Sequence, residues 1–193
     1  MEIHNNSRLD EANAAFLQGD FSTARNLFEV LVATGSKSAL LGLAAIYERG
    51  NSDVPQDFTK AKYWFERALA SANSAKAALK LGNYYYLGFG VPVDYAKALS
   101  YYLRLKDNKD PIALYRLGVH YEKGQGTQQD IERAVDYYRR AARLGNIQAR
   151  KQWGVLEVKN RNFLLGLFLW GWAIIQGVPL AFTRTNDKRL RVF

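Results

Sequence analysis

The chain has 193 residues, of which 48% are hydrophobic and 23% are charged, a balance that excludes a wholly disordered chain and allows one substantial core. It contains no cysteine, which excludes disulfides, thiolate metal sites and cysteine nucleophiles. The net charge of +9 is unevenly placed, because residues 1 to 137 carry 16 basic and 16 acidic side chains whereas residues 138 to 193 carry 11 and 2.

The N-terminal stretch MEIHNNSRLDEANAAFLQGD has neither a basic start nor an apolar run, so it lacks the pattern of a secretory signal. The sequence therefore predicts a cytoplasmic protein. The next stretch, GDFSTARNLFEVLVATG, resembles part of a unit that recurs further along. We assign a partial copy of that unit to residues 10–36.

Three segments align with one another: LAAIYERGNSDVPQDFTKAKYWFERAL from Leu43, LGNYYYLGFGVPVDYAKALSYYLRL from Leu81 and LGVHYEKGQGTQQDIERAVDYYRRAA from Leu117. A tyrosine, a glycine, an aspartate and an alanine recur in register. These are Tyr47, Tyr85 and Tyr121; Gly50, Gly88 and Gly124; Asp57, Asp94 and Asp130; Ala61, Ala98 and Ala134. The units cover about residues 37–73, 74–110 and 111–146, and an incomplete copy covers 147–160, so a repeat domain occupies residues 1–160.

Each unit is predicted to form two antiparallel helices. In the first helix, Leu81, Gly82 and Tyr85 share one face, so a neighbouring helix can approach closely at the glycine. Glycines such as Gly88 suit a helix end with positive φ, and Asp94 suits the N-cap of the second helix. One hairpin cannot bury such faces alone, so the units must stack into a solenoid.

The middle unit, from Leu81 through Tyr85, Gly88, Gly90 and Asp94, closely resembles the Sel-1-like repeat, a relative of the tetratricopeptide repeat. The resemblance implies an all-α fold, a right-handed α-solenoid of antiparallel helix pairs that scaffolds protein complexes and is not an enzyme. The first unit departs at Ala44 and in its GNSD loop, and the third departs at Thr127. We expect these changes to keep the helix count and to alter local curvature.

In tetratricopeptide-type stacks the first helices line a concave face, so the resemblance nominates partner-binding residues there. These are Glu48, Arg49, Asn83, Tyr86, Tyr115, Glu122 and Lys123. A solvated helix face is the alternative interpretation for each residue. The identity of the protein partner is left open.

No motif predicts a catalytic residue, a metal site or a cofactor. The glycine loops are not followed by Lys-Ser/Thr, as a phosphate-binding loop requires. The two histidines, His4 and His120, have no acidic cluster at ligand spacing, and we interpret His120 as an ordinary side chain of the solenoid.

Residues 161–183 form a hydrophobic segment that contains FLLGLFLWGWAIIQGVPLAF, and a basic tail follows at 184–193. The segment stands where the last hairpin needs its second helix, yet it lacks the polar outer face of a terminal unit. We therefore expect it to contact a membrane or another protein. The contacting residues would be Phe163, Leu167, Trp170, Trp172, Ile175, Arg184, Lys188, Arg189 and Arg191.

Three hypotheses follow for this segment. The leading one is membrane association at the cytoplasmic side, through a span or a re-entrant hairpin that bends at Gly177–Pro179. The second is a soluble homo-oligomer that uses the segment as its interface. The third, nucleic-acid binding through the basic C-terminal part, is the weakest, because the charges are not interleaved with a stacking platform.

Overall fold

The computed structural model describes residues 2–107, 109–159, 168, 170–172 and 175. Nine α-helices follow one another in this part of the chain. They are α1 (Glu2–Gln18), α2 (Phe21–Ala33), α3 (Lys37–Arg49), α4 (Phe58–Ala72), α5 (Ala75–Leu87), α6 (Tyr95–Leu103), α7 (Pro111–Lys123), α8 (Ile131–Arg143) and α9 (Ile147–Lys159).

The helices pair into hairpins, and each helix packs against its neighbours in the chain. The odd-numbered helices are the first helices of successive hairpins, and the even-numbered helices are the second. Buried apolar residues form three clusters, each of which draws on more than one hairpin. The core is therefore continuous only because the hairpins stack, as predicted. The N-terminal hairpin begins with α1 at Glu2, and it includes the stretch 10–36 to which the partial copy was assigned.

Within the second and third repeats, a glycine of the first helix faces an aromatic ring of the second helix. A Cβ atom added at Gly118 would lie 2.5 Å from the ring of Tyr138, and one added at Gly82 would lie 2.6 Å from the ring of Tyr102. Both rings are fully buried. The missing side chain thus provides the space in which the second helix packs.

An aspartate caps the second helix of the N-terminal hairpin and of each repeat, as predicted. Its carboxylate accepts the N–H of the third helical residue at 2.9 or 3.0 Å, in the pairs Asp20 with Thr23, Asp57 with Lys60, Asp94 with Lys97 and Asp130 with Arg133. These hydrogen bonds hold the pKa of Asp20 and of Asp57 below the ordinary value. In the repeats the third helical residue is a cation that also lies over a first-helix tyrosine, as Lys97 does over Tyr85 at 5.2 Å.

In the second and third repeats, the loop between the two helices contains a second glycine, which determines how closely consecutive repeats approach each other. Gly126, at φ 72°, lies against the backbone of Tyr95 at the start of the preceding second helix. A Cβ atom at Gly126 would lie 2.5 Å from the carbonyl carbon of Tyr95. The residue is therefore required both for its positive φ and for this contact between repeats.

The first repeat closes its loop differently, because Asn51 follows Gly50 where the other repeats continue towards a second glycine. The Asn51 side-chain oxygen accepts the N–H of Asp53 at 3.0 Å and of Val54 at 2.8 Å, and its amide donates to the Gly19 carbonyl at 2.8 Å. A side-chain amide thus organises this loop. The helix pair α3–α4 is kept, as expected.

Candidate protein-binding face

All seven residues predicted to bind a partner lie on α3, α5 or α7. Arg49 and Lys123 are exposed at the ends of their helices, and the other five are half-buried. We call the side of the stack that holds the half-buried residues and their neighbours the first-helix face. It is formed by Glu48, Lys80, Asn83, Tyr86, Tyr115, Arg116, Glu122 and Gln152.

Side chains of consecutive first helices meet in three equivalent pairs, which we call rungs. In the first rung the Lys80 ammonium lies 2.6 Å from the Glu48 carboxylate. In the second rung the Arg116 guanidinium carbon lies 5.1 Å from the ring centroid of Tyr86. In the third rung, which joins α7 to α9, the Gln152 amide donates to the Glu122 carboxylate at 2.8 Å.

The rungs show that part of the predicted set also joins one repeat to the next. Glu48, Tyr86 and Glu122 each contact the following first helix. Arg49 instead lies over the rings of Phe16 and Phe21 in the N-terminal hairpin, at 5.9 and 5.8 Å. Arg49 is therefore turned towards a different hairpin from the rest.

Second-helix tyrosines reach this face through the core. The Tyr138 hydroxyl donates to Glu122 at 2.6 Å, and the Tyr102 hydroxyl donates to Asn83 at 2.8 Å. Burial raises the pKa of both phenols, and for Tyr138 the Glu122 carboxylate raises it further. The rings hold the helix pair together while their hydroxyls fix polar groups of the face.

Aromatic rings surround Arg116 in the middle of the face. Tyr115 is half-buried, and its ring centroid lies 5.7 Å from that of Tyr138. Burial raises the pKa of Tyr115, while the positive charge of Arg116 acts in the opposite direction. Sequence reasoning missed Arg116, together with Lys80 and Gln152. Their spacing of 36 residues was the available signal.

His120 is completely buried beside this group. Its Nδ1 lies 2.7 Å from the Gln125 carbonyl oxygen, which can only accept, so Nδ1 carries the proton. Its Nε2 is buried and has no hydrogen-bond partner among the described residues. Burial lowers the pKa of His120 and the nearby charge of Arg116 lowers it further, whereas the bond to Gln125 acts in the opposite direction. His120 packs against Tyr86 and Tyr102.

At the far end of the stack, the structure describes three of the residues predicted to contact a membrane or partner. Ile175 is 83% exposed and Trp172 is 48% exposed, whereas Trp170 is half-buried. Phe168, which was not in the predicted set, is 65% exposed. The remaining predictions lie outside the described residues, namely Phe163, Leu167, Arg184, Lys188, Arg189 and Arg191.

Two other kinds of site are absent from the described residues. No helix there is both long enough and apolar enough to cross a bilayer. No group of three or more histidine or acidic side chains in the same residues could hold a metal ion.

Comparison with known proteins identifies the repeat. The Sel1 repeat pattern matches residues 37–73, 75–110 and 111–146, which is more than half of the chain. No curated protein matches the chain significantly.

Solved structures with a similar fold include three bacterial proteins. A protective antigen of uropathogenic Escherichia coli strains, which displays an SLR fold, has a TM-score of 0.79 and 22% identity over 90% of this chain, which spans 39% of that protein. A Sel1 repeat protein from Oxalobacter formigenes has a TM-score of 0.75 and 24% identity, over 90% and 74% of the two chains. PilF of Pseudomonas aeruginosa has a TM-score of 0.67 and 16% identity, over 93% and 78%. These likenesses confirm the predicted all-helical solenoid.

Proposed function

The chain belongs to the Sel1 repeat family, and on this premise we propose that it is a non-enzymatic adaptor that binds another protein along the first-helix face. The fold is typical of protein–protein interaction scaffolds, and proteins of the family are generally without enzymatic activity. The proposal adds the face on which binding takes place.

The observation that carries the proposal is the group formed by Tyr86, Tyr115 and Arg116. Interface residues that dominate binding energy are enriched in tyrosine and arginine. These side chains are half-buried, so little additional ordering is needed when a partner covers them. The rung contact between Tyr86 and Arg116 holds both side chains in place before binding.

The experiment compares native complexes of three forms of the full chain, expressed at the natural level. The wild type should migrate in native electrophoresis as a complex larger than its own 21.9 kDa. A Tyr86→Ala, Tyr115→Ala double variant should lose that complex. Tyr63→Ala, a matched truncation of an exposed tyrosine on the second helix α4, should keep it. Retention of the complex by the double variant would contradict the proposed face.

We further propose that the C-terminal segment 161–183 attaches the adaptor to the cytoplasmic side of a membrane. The exposure of Phe168, Trp172 and Ile175 supports this, because grouped exposed apolar side chains mark interaction surfaces. The basic residues that flank the segment in the sequence would add attraction to anionic lipids.

Truncation after Asn160 tests the attachment. The full chain should float with anionic vesicles in a density gradient and sediment with cell membranes, and the truncated chain should do neither. A full chain that ignores vesicles but forms a dimer, with the truncated chain monomeric, would contradict membrane attachment. It would favour a subunit interface in the same segment. Steep salt-dependent binding to RNA or DNA would instead favour the basic tail as a nucleic-acid site.

A further inference from the structure

The middle rung differs from the other two in the partner that faces its basic or amide side chain. Lys80 and Gln152 each meet a glutamate, at 2.6 and 2.8 Å. Arg116 occupies the equivalent place on α7, but the residue that faces it is Tyr86. The face of a tyrosine ring attracts a cation. The ring face has no oxygen lone pairs, however, so it cannot accept hydrogen bonds from the N–H groups of the guanidinium.

The charge of Arg116 is therefore uncompensated. Among the described residues, it has no ion pair and no hydrogen bond, and its Nε is buried without a partner. A guanidinium carries five N–H donors and keeps its charge in proteins. Burying the Nε of such a group without an acceptor is unfavourable, and an acceptor supplied from outside would gain a strong interaction with the charged guanidinium.

The two acids of the face are already engaged. Glu122 accepts from the Tyr138 hydroxyl at 2.6 Å and from Gln152. Glu48 is paired with Lys80. Neither forms an ion pair with Arg116, so a carboxylate that binds Arg116 would not have to displace an internal one.

We propose that Arg116 receives an aspartate or glutamate side chain of a protein segment that lies across α5 and α7. This inference rests on the proposed function and specifies the partner's chemistry. A carboxylate can take two parallel N–H bonds from a guanidinium, and the rings of Tyr86 and Tyr115 provide the surroundings of low dielectric in which such bonds are strong.

The charge pattern of the face selects a single carboxylate over a polyanion. Going along the stack, the first rung is neutral because Glu48 and Lys80 cancel, the second carries one positive charge, and the third carries the negative charge of Glu122. One unit of negative charge matches the middle rung. A nucleic-acid backbone or a doubly charged phosphate would meet Glu122 as a like charge.

The test selects peptides from a random displayed library on the immobilised full chain and then measures matched synthetic pairs. Selected peptides should contain an aspartate or glutamate at a constant place. Replacing that residue by asparagine or glutamine should weaken binding to the wild type about tenfold to a hundredfold. The same replacement should have no effect on binding to Arg116→Gln.

Two variants serve as controls. Arg116→Lys keeps the charge without the planar fork, so it should retain only part of the preference for the acid. Arg143→Gln removes the same charge from an exposed position at the end of α8, so it should retain the whole preference. Thermal unfolding of each variant verifies that the stack is intact.

The outcomes separate this inference from the proposed function. Peptides that bind the first-helix face without an acid preference, or with one that Arg116→Gln keeps, would overturn the inference and leave the adaptor function standing. Tighter binding of a phosphoserine in place of the acid would also overturn it. If no peptide binds this face, the inference fails, and the native-complex experiment decides separately on the adaptor function.

Discussion

The second helices keep the same kind of side chain at equivalent positions of the repeats, whereas the first-helix face does not. In the second helices, the equivalent positions Phe65, Tyr102 and Tyr138 all hold a buried aromatic ring. On the first-helix face, the rung positions hold glutamate, tyrosine and glutamate against lysine, arginine and glutamine. Positions that repeat their chemistry build the stack, whereas the proposed binding face is formed by positions whose chemistry differs from one repeat to the next.

The largest effect should come from removing a core ring. Tyr138→Ala should lower the free energy of unfolding by about 3–5 kcal/mol, because it empties a site that the surrounding helices cannot refill. Tyr138→Phe should cost only about 1 kcal/mol, since Phe65 shows that a phenyl ring fits the equivalent site and Glu122 keeps its bond to Gln152. Urea unfolding measures both values. Equal losses would contradict a role for the ring itself.

The next largest effect is a pH dependence of the stability, which comes from His120, buried between the core and the first-helix face. The folded-state pKa of His120 lies below its ordinary value of 6.5. As the pH falls, the unfolded chain therefore protonates His120 before the folded chain does. The stability that neutral His120 contributes is present above pH 6.5 and is lost as the pH falls below it. The slope should approach about 1.4 kcal/mol per pH unit. His120→Leu, which mimics the aliphatic Ile46 at the equivalent position, should show a shallower loss in urea titrations at pH 7.5 and 5.5. Parallel losses in the two proteins would contradict this.

A smaller effect should come from the caps that every repeat shares. Asp94→Ala should lower the free energy of unfolding by about 1 kcal/mol, because the N–H of Lys97 loses its acceptor. Asp94→Asn keeps an acceptor at the same place and should restore most of the loss. Both are measured by urea unfolding, and a loss as large in the asparagine variant would show that the cap is not the cause.

The smallest effect on stability should come from the rungs. Lys80→Ala should change the free energy of unfolding by less than about 1 kcal/mol, because the pair with Glu48 is partly exposed. Added salt should narrow the difference between the two proteins. If Lys80→Ala lowered the free energy of unfolding as much as Tyr138→Ala does, the rungs would be as important for stability as the core, which would contradict the comparison.

The sequence predicted the parts of the molecule that recur. The helix pairs, the aspartate caps and the close approach of a neighbouring helix at the first-helix glycine follow from residues that return at fixed spacing. Recurrence makes such a signal specific even in one sequence. The partial copy was assigned only from residue 10, because residues 2–9 are mostly polar and lack the repeat pattern.

The predicted partner-binding set covers only part of the first-helix face. Glu48, Tyr86 and Glu122 were nominated because the resemblance pointed to their helices, and their role in binding stays a prediction. Arg116 is not in the predicted set, because it stands out only through the residue that faces it. That residue is Tyr86, which lies 30 positions earlier in the sequence, whereas the other two rungs have a glutamate there. The burial of His120 follows from the repeat register, since it stands where the other repeats have Ile46 and Tyr84, which are both buried.

The most direct test of the central claim places a photo-crosslinking phenylalanine analogue at single positions of the full chain in living cells. Substitution at Tyr86 or Tyr115, on the first-helix face, should give a discrete adduct with a partner protein. Substitution at Tyr63, which is 52% exposed on α4, should give none. The adduct from Tyr86 should disappear when Arg116 is also changed to glutamine. Adducts of equal yield from Tyr63 and Tyr86, or an adduct from Tyr63 alone, would contradict binding along the first-helix face.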